Sequence, residues 1–268
     1  MKKVLQLAIT AALVATTPAM ATSLQDAVMS DVRSAKNKSR DEYRNPQQTL
    51  NFFGLKDDMT VVELWPGGGW YTEVIAPAVA EKGQFIAAHF PTGTDVAYFN
   101  KHLPKYQKKI ESTPSLSKTK ITGFHPKLNP EMAPANSADM VVTFRNLHNF
   151  YMNGDDALQI TLDSAFKALK PGGVLGVVDH KLPENLDAEK FRKSGYMKQS
   201  VLEAAAKKAG FKLVDSSSVN ANPLDKAQYE KGVWTLPPTL ANGDKDKAMY
   251  LAIGESDRFT LKFVKPKL

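Results

Sequence analysis

The residues best suited to chemistry stand behind two apolar runs in the second half of the chain. Arg145, Asn146 and His148 follow Met140 to Phe144, and Asp179 and His180 follow Val174 to Val178. Histidine titrates near neutral pH, so His148 or His180 can serve as a general base, with Asp179 and Arg145 as the charged groups beside them. Taken singly, either histidine can also be a loop-packing residue bonded to a backbone carbonyl. Two imidazoles and a carboxylate suit zinc or iron as well, but no ligand pair at helical spacing accompanies them, and no metal is expected.

A second stretch precedes these groups. In Val61-Val62-Glu63-Leu64-Trp65-Pro66-Gly67-Gly68-Gly69-Trp70-Tyr71-Thr72 a short apolar run meets three glycines and resumes with residues suited to a helix. An acidic strand end, a glycine turn and a helix start together make a nucleotide-sized site, because glycines admit a ligand close to the backbone and the helix start offers free N–H groups. The spacing does not fit a dinucleotide fingerprint, which wants glycine where Thr72 stands, and the P-loop lysine is missing. Trp70 and Tyr71 can wall a ligand or pack the helix onto a sheet.

The elements that must position these residues alternate in type. Strands are expected at Thr60 to Leu64, Gln84 to His89, Lys120 to Phe124, Asp139 to Phe144, Val174 to Asp179, Lys212 to Asp215 and Arg258 to Lys265, the last near a sheet edge. Helices are expected at Tyr71 to Ala80, Val96 to Ile110, Gly154 to Leu169 and Met197 to Ala209, with Lys170-Pro171-Gly172-Gly173 and Gly210 as turns. Such alternation marks a parallel sheet with crossover helices, and it brings the polar groups to one carboxyl edge. Ahead of it, residues 22–55 form a helical arm. One helix runs from its Ser23 cap to about Lys36 with Leu24, Ala27, Val28 and Val32 on one face, and another is opened by Pro46 and stopped by Gly54. Tyr43 and Arg44 of the arm can close over a ligand or brace the sheet. The segment Asn220 to Asp257 reads as an elaborated connection.

At 268 residues with 43% hydrophobic content the chain can bury a large core, here the domain 56–268. Lys2 and Lys3, an apolar run from Val4 to Val14 and Ala19-Met20-Ala21 read as a signal peptide cut after Ala21, which predicts a periplasmic or secreted protein without integral membrane association. The absence of cysteine fits export without disulfides and excludes a thiol nucleophile. The charge of +7 is carried by dispersed lysines, so no nucleic-acid partner is expected.

Three signatures in order carry a resemblance: Val61 to Thr72, Ala138 to Phe150 (Ala-Asp-Met-Val-Val-Thr-Phe-Arg-Asn-Leu-His-Asn-Phe) and Leu169 to His180 (Leu-Lys-Pro-Gly-Gly-Val-Leu-Gly-Val-Val-Asp-His). With Ala209 to Val214 and Phe259 to Val264 behind them, the mature chain resembles the class I S-adenosylmethionine-dependent methyltransferases, specifically an exported group with a Trp-Pro-Gly-Gly-Gly-Trp-Tyr turn. The resemblance implies an α/β Rossmann-like fold: a seven-stranded, mostly parallel sheet with a reversed last strand, flanked by helices. It implies S-adenosylmethionine as cofactor and a small-molecule methyl acceptor. It gives Glu63 the organisation of the turn and the amino end of the cofactor, lets Gly67 and Gly69 admit the methionine portion, and places Trp65, Pro66, Tyr71, His89, Phe144 and Asn146 around the cofactor, with Arg145, His148, Asp179 and His180 on the catalytic side. Trp65 replaces the usual first glycine, and Ala88-His89-Phe90 replaces the acidic strand end that normally holds the ribose, so His89 either accepts one ribose hydrogen bond or is a rim residue. The cofactor is made in the cytosol, so an exported chain sets two other expectations against this one: a non-catalytic ligand-binding protein on the same fold, and a metal-assisted hydrolase built on His148, Asp179 and His180.

Overall fold

The computed structural model describes residues 22–267; the expected signal peptide, residues 1–21, lies outside them. Four short helices come first: α1 (Leu24–Met29), α2 (Ala35–Lys38), α3 (Asp41–Arg44) and α4 (Pro46–Phe53). The expected single helix to Lys36 is therefore broken, and serine explains the break. Ser23 caps α1 in a reciprocal box with Asp26, but Ser30 leaves the helix in an extended conformation, and Ser34 starts α2 by accepting from the Asn37 N–H. Serine side chains compete for backbone donors in this way, and Val32 is left exposed in the interruption.

Then β1 (Thr60–Leu64), α5 (Thr72–Val79), β2 (Gln84–His89), α6 (Ala97–Ser112), β3 (Lys120–Gly123), β4 (Ala138–Phe144), α7 (Leu147–Met152), α8 (Asp155–Ala168), β5 (Leu169–His180), α9 (Gln199–Lys208), β6 (Lys212–Ser217), α10 (Lys247–Ile253) and β7 (Arg258–Val264) complete the domain. The strands form one sheet in the order β3-β2-β1-β4-β5-β7-β6. The pairs from β3 to β5 are parallel, and β7 runs antiparallel to both its neighbours. The reversed last strand is thus as expected, inserted one place inside the edge, with β6 outermost. The segment expected as a turn after α8 belongs instead to β5. Leu169 pairs with Ala138 before a register shift, and Gly172 and Gly173 exchange backbone hydrogen bonds with Lys265.

Strand side chains alternate between faces, and the alternation sorts the core into two layers. Val62 and Leu64, with Leu175 and Val177, lie under α7, α8 and α9. Val61, with Met140, Val142 and Val178, lies under α4 and α5. The second layer is so close that a Cβ on Gly176 would fall 2.6 Å from the Phe53 ring. The glycine is what lets α4 sit on the sheet.

Candidate functional site

The same alternation decides where each candidate residue points. Glu63 shares a face with Val61 and so lies at the start of α5, where its carboxylate meets the Thr72 hydroxyl at 2.9 Å, with the Tyr106 hydroxyl 3.1 Å from that of Thr72. Burial pushes the Glu63 carboxyl up to about 8, opposed by the Thr72 hydrogen bond and by Lys109. Phe144, on the same face, stacks on Tyr71 with ring centroids 3.4 Å apart, and the Tyr71 hydroxyl donates to Arg44 O. Trp70 Nε1 donates to Asn37 O. Trp70, Tyr71 and Phe144 thus join the arm to the sheet, and Glu63 lies beneath the turn, fastening it to α5.

The turn itself is held from three sides. Trp65 takes a left-handed conformation at φ 47°, and its indole N–H donates to Phe124 O at 2.9 Å. Its ring packs edge-on against Phe90 and Phe99 and tilted against Phe150. Pro66 is buried, and its carbonyl accepts from the Gly69 N–H. His89 is buried with both ring nitrogens engaged: Nδ1 accepts from the Phe90 N–H, so Nε2 carries the proton donated to Gly67 O at 3.0 Å. Burial holds its pKa down at about 4, which agrees with a neutral ring. The structure therefore places His89 against the turn, away from the rim. Asn146 donates to Trp65 O at 2.9 Å and ties the end of β4 to the end of β1.

Asp179 shares the face of Leu175 and Val177 and meets the first turn of α7. One carboxylate oxygen accepts from the His148 N–H at 3.0 Å; the other accepts from His148 Nδ1 at 2.7 Å and from the His180 N–H at 2.8 Å. A carboxylate bound this way fixes the imidazole with Nδ1 protonated and Nε2 bare, the form of an oriented general base. His148 Nε2 has no protein partner among the described residues. His180 points the other way across β5: its Nδ1 lies 2.5 Å from Ser256 Oγ, and burial, then His148 and the nearby arginines, hold its pKa well below the usual range. Ligand atoms of His148, Asp179 and His180 lie within 4.8 Å of one another. Three protein donors already occupy Asp179, so the trio fits an oriented base better than a metal cage.

Two cavities open along this edge. The first, about 540 Å³, lies against the turn and is walled by Trp65, Gly67, Phe90, Phe99, His125 and Phe150. The second, about 340 Å³, is walled by His148, His180, Arg40, Arg44, Arg145, Arg258 and Glu255, with Trp234 and Pro237 from the connection before α10. Tyr98, Asn146 and Asn149 line both. The structure thus brings Trp65, Gly67 and Asn146 together in one wall and Arg145, His148 and His180 in another, while Glu63, Tyr71, His89, Phe144 and Asp179 lie behind as supports. Sequence reasoning missed the walls supplied from a distance: Phe99 and His125, Arg40 and Arg258, and Glu255. Asp95, past the end of β2, stands apart from both cavities. It lines a larger, open cavity that shares Phe90 and Val96 with the first.

No family model and no curated protein sequence matches the chain. Solved structures do. An S-adenosylmethionine-dependent methyltransferase from Aquifex aeolicus superposes with TM-score 0.57 at 16% identity, over 85% of this chain and 93% of that one. The [4+2]-cyclase SpnF superposes with TM-score 0.58 at 14% identity, over 89% and 85%. Phosphoethanolamine N-methyltransferase 2 of Haemonchus contortus, in complex with S-adenosyl-L-methionine, superposes with TM-score 0.55 at 18% identity, over 84% of this chain and 53% of that one. The likeness is one of fold: the chain has the class I methyltransferase fold.

Proposed function

We propose that the chain is an S-adenosylmethionine-dependent methyltransferase acting on a small molecule, one of an exported group that works outside the cytoplasm after cleavage behind Ala21. The observation that carries the reading is the pair of adjoining cavities. One lies on the glycine turn and the other on an oriented base, and Tyr98, Asn146 and Asn149 wall both, so two ligands bound there meet at those shared residues, with His148 in the wall of the second cavity. The residues fit the cofactor. A Cβ at Gly67 or Gly68 would meet nothing within 4 Å, which leaves the turn open to a close-lying ligand, and Trp65 and Phe90 give the adjoining cavity an apolar aromatic wall. When bound, S-adenosylmethionine supplies a methyl carbon that passes to the acceptor while the carbon–sulfur electron pair returns to sulfur. This chain's part is to align the acceptor and to take its proton at His148 Nε2, with Asp179 compensating the charge that arises on the ring.

Calorimetric titration with S-adenosylmethionine and S-adenosylhomocysteine tests the reading. Both bind the wild type, and Gly67→Val weakens both more than tenfold, because valine strains a left-handed position by about 1–2 kcal/mol and projects into the ligand's space. Absence of binding at about millimolar ligand, an affinity worth only about 4 kcal/mol, sinks the cofactor assignment. Sequencing the amino terminus of the exported protein tests the cleavage.

A further inference from the structure

The second cavity carries an imbalance that the base does not need. Arg40, Arg44, Arg145 and Arg258 surround it, and Glu255 is the one carboxylate in its wall. Arg40 Nε donates to Glu255 at 2.6 Å, Arg44 Nε reaches it at 3.4 Å, and Arg258 pairs with it directly. Arg145 stands 4.0 Å away, and its guanidinium has no hydrogen-bond acceptor among the described residues. Arg258 Nε is buried and unpaired. Tying the arm to the sheet would take one or two arginines on Glu255. Four cost mutual repulsion that a single carboxylate does not offset.

The crowding shows in the arginines themselves. Burial and then Arg258 lower Arg145 to about 10, and burial and then Arg145 lower Arg44 well below its usual value. Guanidinium forks match planar or tetrahedral oxyanions, and several converging in a partly buried recess form a binding site for one.

We propose that this cavity is an oxyanion site, and that the methyl acceptor is an organic acid anchored there by a carboxylate or phosphate while its O–H or N–H group lies at His148. The anchor and the nucleophile are separate groups on this acceptor, because a carboxylate that was itself methylated would bring no proton for His148 to remove. The acceptor half of the proposal rests on the methyltransferase reading; the oxyanion half stands without it.

Calorimetry with benzoate, phenyl phosphate and, as neutral control, benzyl alcohol tests it, alongside S-adenosylhomocysteine, on the wild type, Arg145→Met and Arg40→Gln. The expected result is saturable binding of one or both anions and not of the alcohol, weakened about tenfold or more in each variant, as loss of a charge-assisted pair requires. The stronger of the two anions identifies the anchoring group. Anions that bind while S-adenosylhomocysteine does not would support the oxyanion site and remove the methyltransferase reading. Bound S-adenosylhomocysteine with no anion binding at about 10 mM, far weaker than a built site gives, would overturn the oxyanion site and leave that reading standing. Anion affinity unchanged in both variants would also overturn it, by placing the anion elsewhere.

Discussion

Replacing Glu255 with glutamine tests the electrostatic account of the basic cavity most directly. The side chain is 2% exposed and stands between Arg258, Arg44, Arg145 and Arg40. Burial would raise its carboxyl, but the four arginines outweigh it and draw the pKa from 4.5 to about 2. Each unit is worth about 1.4 kcal/mol, so the ionised form contributes roughly 3 kcal/mol to folding at neutral pH. A pKa depressed in the folded state means stability that is complete above the unfolded value and lost as pH falls through the folded one. The window is therefore from about 4.5 down to about 2. At about pH 3, one unit above the folded value, roughly 1.4 kcal/mol of the contribution remains. Urea unfolding of wild type and Glu255→Gln should accordingly differ by roughly 3 kcal/mol at about pH 7, and by roughly half that at about pH 3. If the two proteins unfold alike at neutral pH, or if their difference is flat down to pH 3, Glu255 does not hold the arginines together and the account is wrong.

Two further outcomes follow from the packing. Asp179→Ala removes the acceptor that keeps His148 Nδ1 protonated, so nitrogen NMR should show one tautomer in the wild type and a mixture in the variant; turnover, once an acceptor is identified, should fall by about 10²–10⁴-fold. An unchanged ring spectrum would contradict the oriented base. Gly176→Ala sets a methyl group 2.6 Å from the Phe53 ring and should cost about 1–3 kcal/mol, read as a lower Tm together with faster proteolysis of the arm as α4 is pushed off the sheet. An alanine variant with wild-type Tm would show that α4 has room to shift.

The order of strands and helices was legible because each element carries its own local signal. The apolar run of β1, the glycines behind it and the period-two pattern of β7 can be read residue by residue. The breaks came where local signals compete. Serines interrupt the first helix, and Pro-Gly-Gly after α8 reads as a turn although Lys265, almost a hundred residues later, draws it into the sheet.

For the site, sequence alone offered the turn, His148 or His180 as a base and Asp179 beside them, since these follow strand ends within a few residues. Alternation groups Glu63 with Val61 and Asp179 with Val177, and the sheet register then sets those two groups on opposite faces. Tertiary structure decided which of those residues reach a cavity. His89 turned inward because the Gly67 carbonyl, in the turn behind the neighbouring strand β1, lies across from it, and Trp65 found its partners on α6 and α7. The four arginines come from the arm, the end of β4 and the start of β7, and no spacing announces their meeting. Charge clusters assembled from distant segments exist only once the sheet has brought its edges together, and Arg40 meets Glu255 across more than two hundred residues.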